Sequence, residues 1–172
     1  MSIILMGYMG SGKSTIGEKL SKMLNFESLD LDVYIQNNEG KSIPDLFKSK
    51  GEIYFRKIEG RYLSEILSLE NTVVSLGGGT PCYGNNMKVI NSAINSKSIY
   101  LKASIPNLVE RLYDEKAARP LISHLETKDE LTEFIGKHLF ERSVFYHQAD
   151  MTISVDGKSI NGIIEDIVMK LF

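Results

Sequence analysis

Near its start the chain reads GYMGSGKST (Gly7–Thr15), which sets glycines, a lysine and hydroxyl side chains in the spacing G-x-x-x-x-G-K-[ST]. Glycines let a backbone curl its amides inward around an anion, and the amino end of a following helix adds its dipole. Gly7, Gly10 and Gly12 are placed to make that turn. Lys13 supplies a point charge, Ser14 a hydroxyl for a metal ion, and Thr15 a donor within reach of an α-phosphate. Residues 10 to 15, Ser11 included, are thus expected to wrap the phosphates of a nucleoside triphosphate.

Further along, ESLDLDVYI holds Asp30 and Asp32 two residues apart. In extended chain both carboxylates point to one side of a sheet. One can support a metal ion and the other can take a proton from an acceptor hydroxyl; alternatively, one of them caps the helix that follows. In EIYFRKIEGRY, Arg56 and Glu59 lie three apart on a helix. They form either a surface ion pair or a buried support that holds the guanidinium toward an anionic ligand. Arg142 shares a helical stripe with Leu131, Phe134, Ile135, His138, Leu139 and Phe145. A buried arginine needs an anion, which an internal carboxylate or a substrate group could supply. His138 on that stripe reads as a packed histidine, and no histidines stand at metal-ligand spacing. Arg119 and Pro120 sit in DEKAARPLISHL, a loop over residues 114–125 of mixed polarity. Arg119 there is either a solvated side chain or a cation that reaches the transferring phosphoryl group when the loop closes.

These groups need a frame. Short β-rich runs alternate with helical ones, which means α/β. Strands are expected at 3–6, 27–30, 72–76, 98–102 and 151–154, and helices near 13–24, 44–49, 51–68, 84–93, 105–113, 128–147 and 159–171. Ser42 with Asp45, and Thr127 with Glu130, have capping-box spacing. Five such strands with helical crossovers make an open parallel sheet, whose ligands lie beyond the carboxyl ends of the strands.

The chain has 172 residues, 42% of them hydrophobic, which suits one domain spanning 1–172. A net charge of -2 gives no general field for nucleic acid, so none is expected as a partner. No apolar run approaches a membrane span and MSIILMG lacks the basic start of a signal peptide, so a cytoplasmic protein is expected. Cys82 is the only cysteine, which excludes an internal disulfide and a cysteine-built zinc site. It is a packed small residue or a reactive thiol beside the glycines.

Taken in order over nearly the whole chain, GYMGSGKST, LDLD, FRKIE, SLGGG, RPLI and ERSVFY resemble the shikimate kinase family. The resemblance implies a three-layer P-loop kinase fold. It also implies Mg2+- and ATP-dependent phosphorylation of the 3-hydroxyl of shikimate, in the route to chorismate and the aromatic amino acids. Asp32 would bind the shikimate hydroxyls and serve as base, and Asp30 would support Mg2+ with Ser14. Arg56 and Arg142 would clamp the carboxylate, with Glu59 behind Arg56. Gly78 would offer its backbone to the substrate, and Lys13 and Arg119 would stabilise the phosphoryl group. The acceptor region would span about 31–60 and the lid 114–125. Lys158, after the last strand, is assigned to the nucleotide. Val144 stands where many members have proline, so Arg142 rests on Tyr146 and the helical stripe. A monomer is expected. Competing readings are another small-molecule kinase such as gluconate kinase, or a regulatory module that binds nucleotide without turnover.

Overall fold

β1 (Ser2–Met6) is apolar nearly throughout, and Ile3, Ile4, Leu5 and Met6 are completely buried. Side chains alternate across a strand, so full burial of consecutive residues requires cover on both faces and a central place in the sheet. The computed structural model, which describes residues 1–172, has that arrangement. Its five parallel strands run in the order β2 (Glu27–Asp30), β3 (Thr72–Ser75), β1, β4 (Ser96–Lys102), β5 (Met151–Ser154). Ile3 pairs in register with Val73 on one side, and Ile4 with Ser98 on the other.

The helices are α1 (Lys13–Leu24), α2 (Leu31–Glu39), α3 (Ile43–Ile66), α4 (Asn86–Ser92), α5 (Ile105–Glu115), α6 (Lys128–Tyr146) and α7 (Ile160–Leu171). Two depart from expectation. α2 replaces the extended chain expected after Asp30: the Asp30 Oδ1 accepts from the backbone N–H of Asp32 and Val33, so Asp30 is its N-cap and Asp32 lies in its first turn. The two helices expected at 44–49 and 51–68 join as α3, broken only at Gly51, whose φ of 82° lies in the left-handed region. A side chain there is strained although nothing lies within 4 Å of a Cβ.

The capping predictions divide. Thr127 and Glu130 form the full reciprocal box at the start of α6. At α3 the Ser42 hydroxyl accepts from the Asp45 N–H, but the Asp45 carboxylate accepts a hydrogen bond from the Ser42 hydroxyl rather than from a backbone donor. No helix is long and apolar enough to cross a membrane.

Candidate active site

β1 ends at Met6, and the chain turns through Gly7, Gly10 and Gly12 at φ 148°, 80° and 94° before α1 begins at Lys13. Space as well as angle excludes side chains here. A Cβ on Gly7 would lie 2.6 Å from the Leu101 carbonyl oxygen, and one on Gly10 would lie 3.0 Å from Leu112. The Lys13 ammonium donates to the carbonyls of Gly7 and Tyr8, at 2.9 and 3.0 Å. Burial lowers it to about 8, against the pull of Asp32 and Asp30. It is therefore a poorly solvated cation whose charge an incoming anion would stabilise. The Ser11 hydroxyl is buried without a partner inside the chain, a donor free for the same anion.

This loop borders a cleft of about 480 Å³ whose walls also carry Asp30, Asp32, Gly77, Gly78, Arg119 and Lys158. On one side the Ser14 hydroxyl donates to Asp30 Oδ2 at 2.9 Å. Asp30 thus caps α2 with one oxygen, the capping role open for it in the sequence, and meets Ser14 with the other. No three carboxylate, histidine or cysteine side chains converge anywhere to cage a metal. Ser14 and Asp30 are hard oxygen donors, and they fit an ion such as Mg2+ that takes most of its ligands from phosphate and water.

Asp32, in the first turn of α2, points the other way, to the glycines. A Cβ on Gly77 would lie 2.9 Å from its Oδ1. Burial pushes the Asp32 carboxyl up to about 6; Asp30 and Glu59 add to the shift, while Lys13 and Arg56 oppose it. Within the chain its oxygens accept no hydrogen bond, unlike those of Asp30. A carboxylate tuned toward neutrality and left unpartnered is suited to a substrate proton.

Two residues on, Gly79 faces Arg56: a Cβ there would lie 3.7 Å from Nη1 and Nη2. The guanidinium is stacked 3.5 Å over Tyr83 and flanked by Phe55 and Phe47. Its Nη1 donates to Glu59 at 2.9 Å, and Glu59 is 2% exposed. The other Glu59 oxygen accepts the Thr80 hydroxyl at 2.7 Å. The pair is therefore internal rather than a surface bridge. Arg56 Nε is buried without a hydrogen bond, with Glu52 at 3.5 Å. A rigid fork with a free edge is what a carboxylate binds.

Arg142 is half-buried on α6 with its Cζ 5.7 Å from the Tyr8 ring centroid, and none of the ion pairs includes it. The internal carboxylate considered for it is not there. His138, one turn earlier, faces the Tyr8 hydroxyl at 3.3 Å and Phe134, as a packed histidine. Arg119 pairs with Glu115 at 2.6 Å, and Lys158 with Asp166 at 2.6 Å, both on the rim of the cleft. Cys82 is half-buried and burial pushes its thiol up to about 11, so it is a packed residue.

The glycine run Gly77–Gly79 borders the same cleft through Gly77 and Gly78. Gly77, Gly78 and Gly79 do not have positive φ, so close approach rather than unusual angles excludes side chains. A Cβ on Gly78 would press on the phosphate loop itself, 3.2 Å from the Met9 nitrogen. Gly78→Ala is therefore expected to raise the KM for ATP as well as for the acceptor, by about tenfold each; equal ATP kinetics in variant and parent would contradict that contact. Arg111 went unassigned in the sequence. Its Nη1 donates to the Gly10 carbonyl at 3.1 Å, and it lines the nucleotide side of the cleft. The signal available was its place beside Leu112 and one turn after Leu108, on the inward side of α5.

A parallel sheet carrying a phosphate loop at the end of its central strand, with a carboxylate bonded to Ser14 of that loop, an unpartnered carboxylate and a framed arginine about the cleft, defines a P-loop phosphotransferase. The comparisons give the family. The profile described as "Shikimate kinase" matches residues 9–172. A shikimate kinase of Flavobacterium johnsoniae is 46% identical over 167 residues, 96% of each chain. Among solved structures, the shikimate kinase of Bacteroides thetaiotaomicron superposes with TM-score 0.90 at 35% identity, covering 99% of this chain and 98% of that one. That of Acinetobacter baumannii, solved in complex with shikimate, superposes with TM-score 0.84 at 28% identity, covering 99% and 92%. The chain belongs to the shikimate kinase family.

Proposed function

We propose that this enzyme transfers the γ-phosphoryl group of ATP to the 3-hydroxyl of shikimate, giving shikimate 3-phosphate and ADP for the synthesis of chorismate and aromatic amino acids. One observation carries the reading of the acceptor. Gly77 faces Asp32 and Gly79 faces Arg56, close enough that an added Cβ would lie 2.9 Å and 3.7 Å from them, and positions two residues apart are separated by no more than ~7 Å of chain. A base and a carboxylate fork at that spacing suit the hydroxyl and carboxylate ends of one small ring acid.

In this mechanism residues 10–15 hold the phosphates through backbone amides, Lys13 and the hydroxyls of Ser11, Ser14 and Thr15. Arg56 and Arg142 grip the carboxylate, and Glu59 keeps the Arg56 fork aligned. Asp32 orients the 3-hydroxyl and receives its proton as that oxygen bonds to the γ-phosphorus and the bond to the ADP oxygen breaks. Arg119 leaves Glu115 for the transferring group as residues 114–125 close over the cleft. Lys158, with Arg111, serves the nucleotide side. Ser14 and Asp30 would hold Mg2+, directly or through water, and the bound ion would supply neutralisation of phosphate charge. Residues 31–60 supply the acceptor side of a single domain. The same proposal takes the protein as a cytoplasmic monomer, the lone Cys82 thiol suiting a reducing compartment.

The test is ADP release measured with shikimate, gluconate, AMP or no acceptor. Strong stimulation by shikimate alone is expected; stimulation by gluconate or AMP with none by shikimate would overturn the proposal, and release indifferent to acceptor would point to a regulatory module. Arg56→Ala should raise the KM for shikimate by tenfold or more and leave that for ATP within twofold. A change confined to ATP would remove Arg56 from the clamp.

A further inference from the structure

Tyr146, at the end of α6, is completely buried, and its hydroxyl donates to the carbonyl of Gly78 in the middle of the glycine run. The ring packs on Tyr100, with centroids 5.1 Å apart. Gly78 thus lies close beside the phosphate loop, where a Cβ would come within 3.2 Å of the Met9 nitrogen, and is tied by Tyr146 at its carbonyl. Neither the Gly78 nor the Gly79 N–H donates within the chain. In a trans peptide the carbonyl and the next N–H point in opposite directions, so fixing the Gly78 oxygen fixes the direction of the Gly79 hydrogen. A peptide between two glycines is the one most free to rotate, because neither side carries a Cβ. Without a donor on its carbonyl, this peptide could turn and redirect the unpaired N–H of Gly79, which lies beside the Arg56 guanidinium.

We propose that Tyr146 is a positioning residue that locks the Gly78–Gly79 peptide with its N–H turned to the acceptor. The inference rests on the acceptor site proposed above and adds a residue that does not itself touch substrate. Its place on α6 fits the role. Arg142 lies four residues earlier, so one helical face sets both the arginine and the peptide against which the acceptor lies. His138, another turn back, meets Tyr8 in the phosphate loop. The row His138, Arg142, Tyr146 thus fixes the acceptor floor relative to the phosphate loop.

Tyr146→Phe keeps the ring on Tyr100 and removes only the donor. We expect the KM for shikimate to rise about tenfold, the effect of one hydrogen bond, with the KM for ATP within twofold. The amide resonance of 15N-labelled Gly79 supplies a readout that packing alone would not move. It should shift on addition of shikimate to the parent protein, and the response should shrink in the variant. A shikimate KM within twofold of the parent, equal rises for both substrates, or an unchanged Gly79 response would each overturn the inference. Failure of the parent protein to phosphorylate shikimate would instead overturn the functional reading. In that case a Gly79 resonance unchanged between the substrate-free proteins would still refute the tether.

Discussion

Asp32→Asn should lower kcat for phosphoryl transfer to shikimate by about 10²–10⁴-fold while leaving ATP affinity within twofold. The substitution preserves shape and removes the proton acceptor. Because burial holds the parent carboxyl up at about 6, activity should rise with pH as Asp32 ionises through that value, and the variant's residual rate should lack that step. The stability effect has the opposite sign. A carboxyl whose folded pKa lies above its unfolded value binds more protons when folded, so its contribution to stability is present at low pH and is lost as pH rises through about 6. Asparagine cannot ionise, and at pH 7 the variant should be more stable than the parent by about 1–3 kcal/mol, the difference vanishing below pH ~4. Thermal melts at pH 4 and pH 7, set beside initial rates over the same range, test both halves. An unchanged kcat would remove Asp32 from the chemistry, and a less stable variant at pH 7 would contradict the buried-charge account.

Arg119→Ala should cost about 10³-fold in kcat with little change in the shikimate KM. In the structure Arg119 is only 34% exposed and already has a partner in Glu115, four residues back on the rim. Its gain on reaching a phosphoryl group is therefore an exchange of one anion for another, favoured as charge builds on the transferring oxygens. That makes it a group for the transition state rather than the ground state, hence the fall in kcat rather than a rise in KM. Single-turnover rates with saturating ATP and shikimate measure the step. A fall of less than tenfold would make Arg119 a rim residue only.

The parts most legible in the sequence were those where one local property decides the outcome. β1 carries four consecutive apolar residues and β3 has Val73 and Val74 at its centre, as buried strands do, and the phosphate loop is fixed by three glycines and a lysine at set intervals. Thr127 and Glu130 marked the start of α6 because both halves of the cap are local. The misreadings came where tertiary partners decide. The strand ends at Asp30 as expected, but the extended chain assumed on to Asp32 does not form, because Asp30 bonds forward to two amides and leaves its second oxygen for Ser14. Arg56 and Glu59 could not be told from a surface pair until Thr80 and Tyr83, from another part of the chain, enclosed them. Tyr146 served the sequence reading only as a mark for locating Arg142. Its bond to Gly78 joins residues 68 apart, and no spacing rule could have found it.

The strand order bears on how the enzyme comes into being. β1 is synthesised first, but its neighbours are β3 and β4, so Ile3 must await Val73 and Ile4 must await Ser98. Gly7 leans on Leu101 and Gly10 on Leu112, and so the phosphate loop has no walls until more than half of the chain has been made. Pairings so distant in sequence are slow to nucleate. A nascent or truncated chain ending before β4 would carry the whole GYMGSGKST motif and still lack a shaped cradle. Nucleotide affinity during synthesis should thus appear late and in one step, as a property of the assembled sheet rather than of the motif.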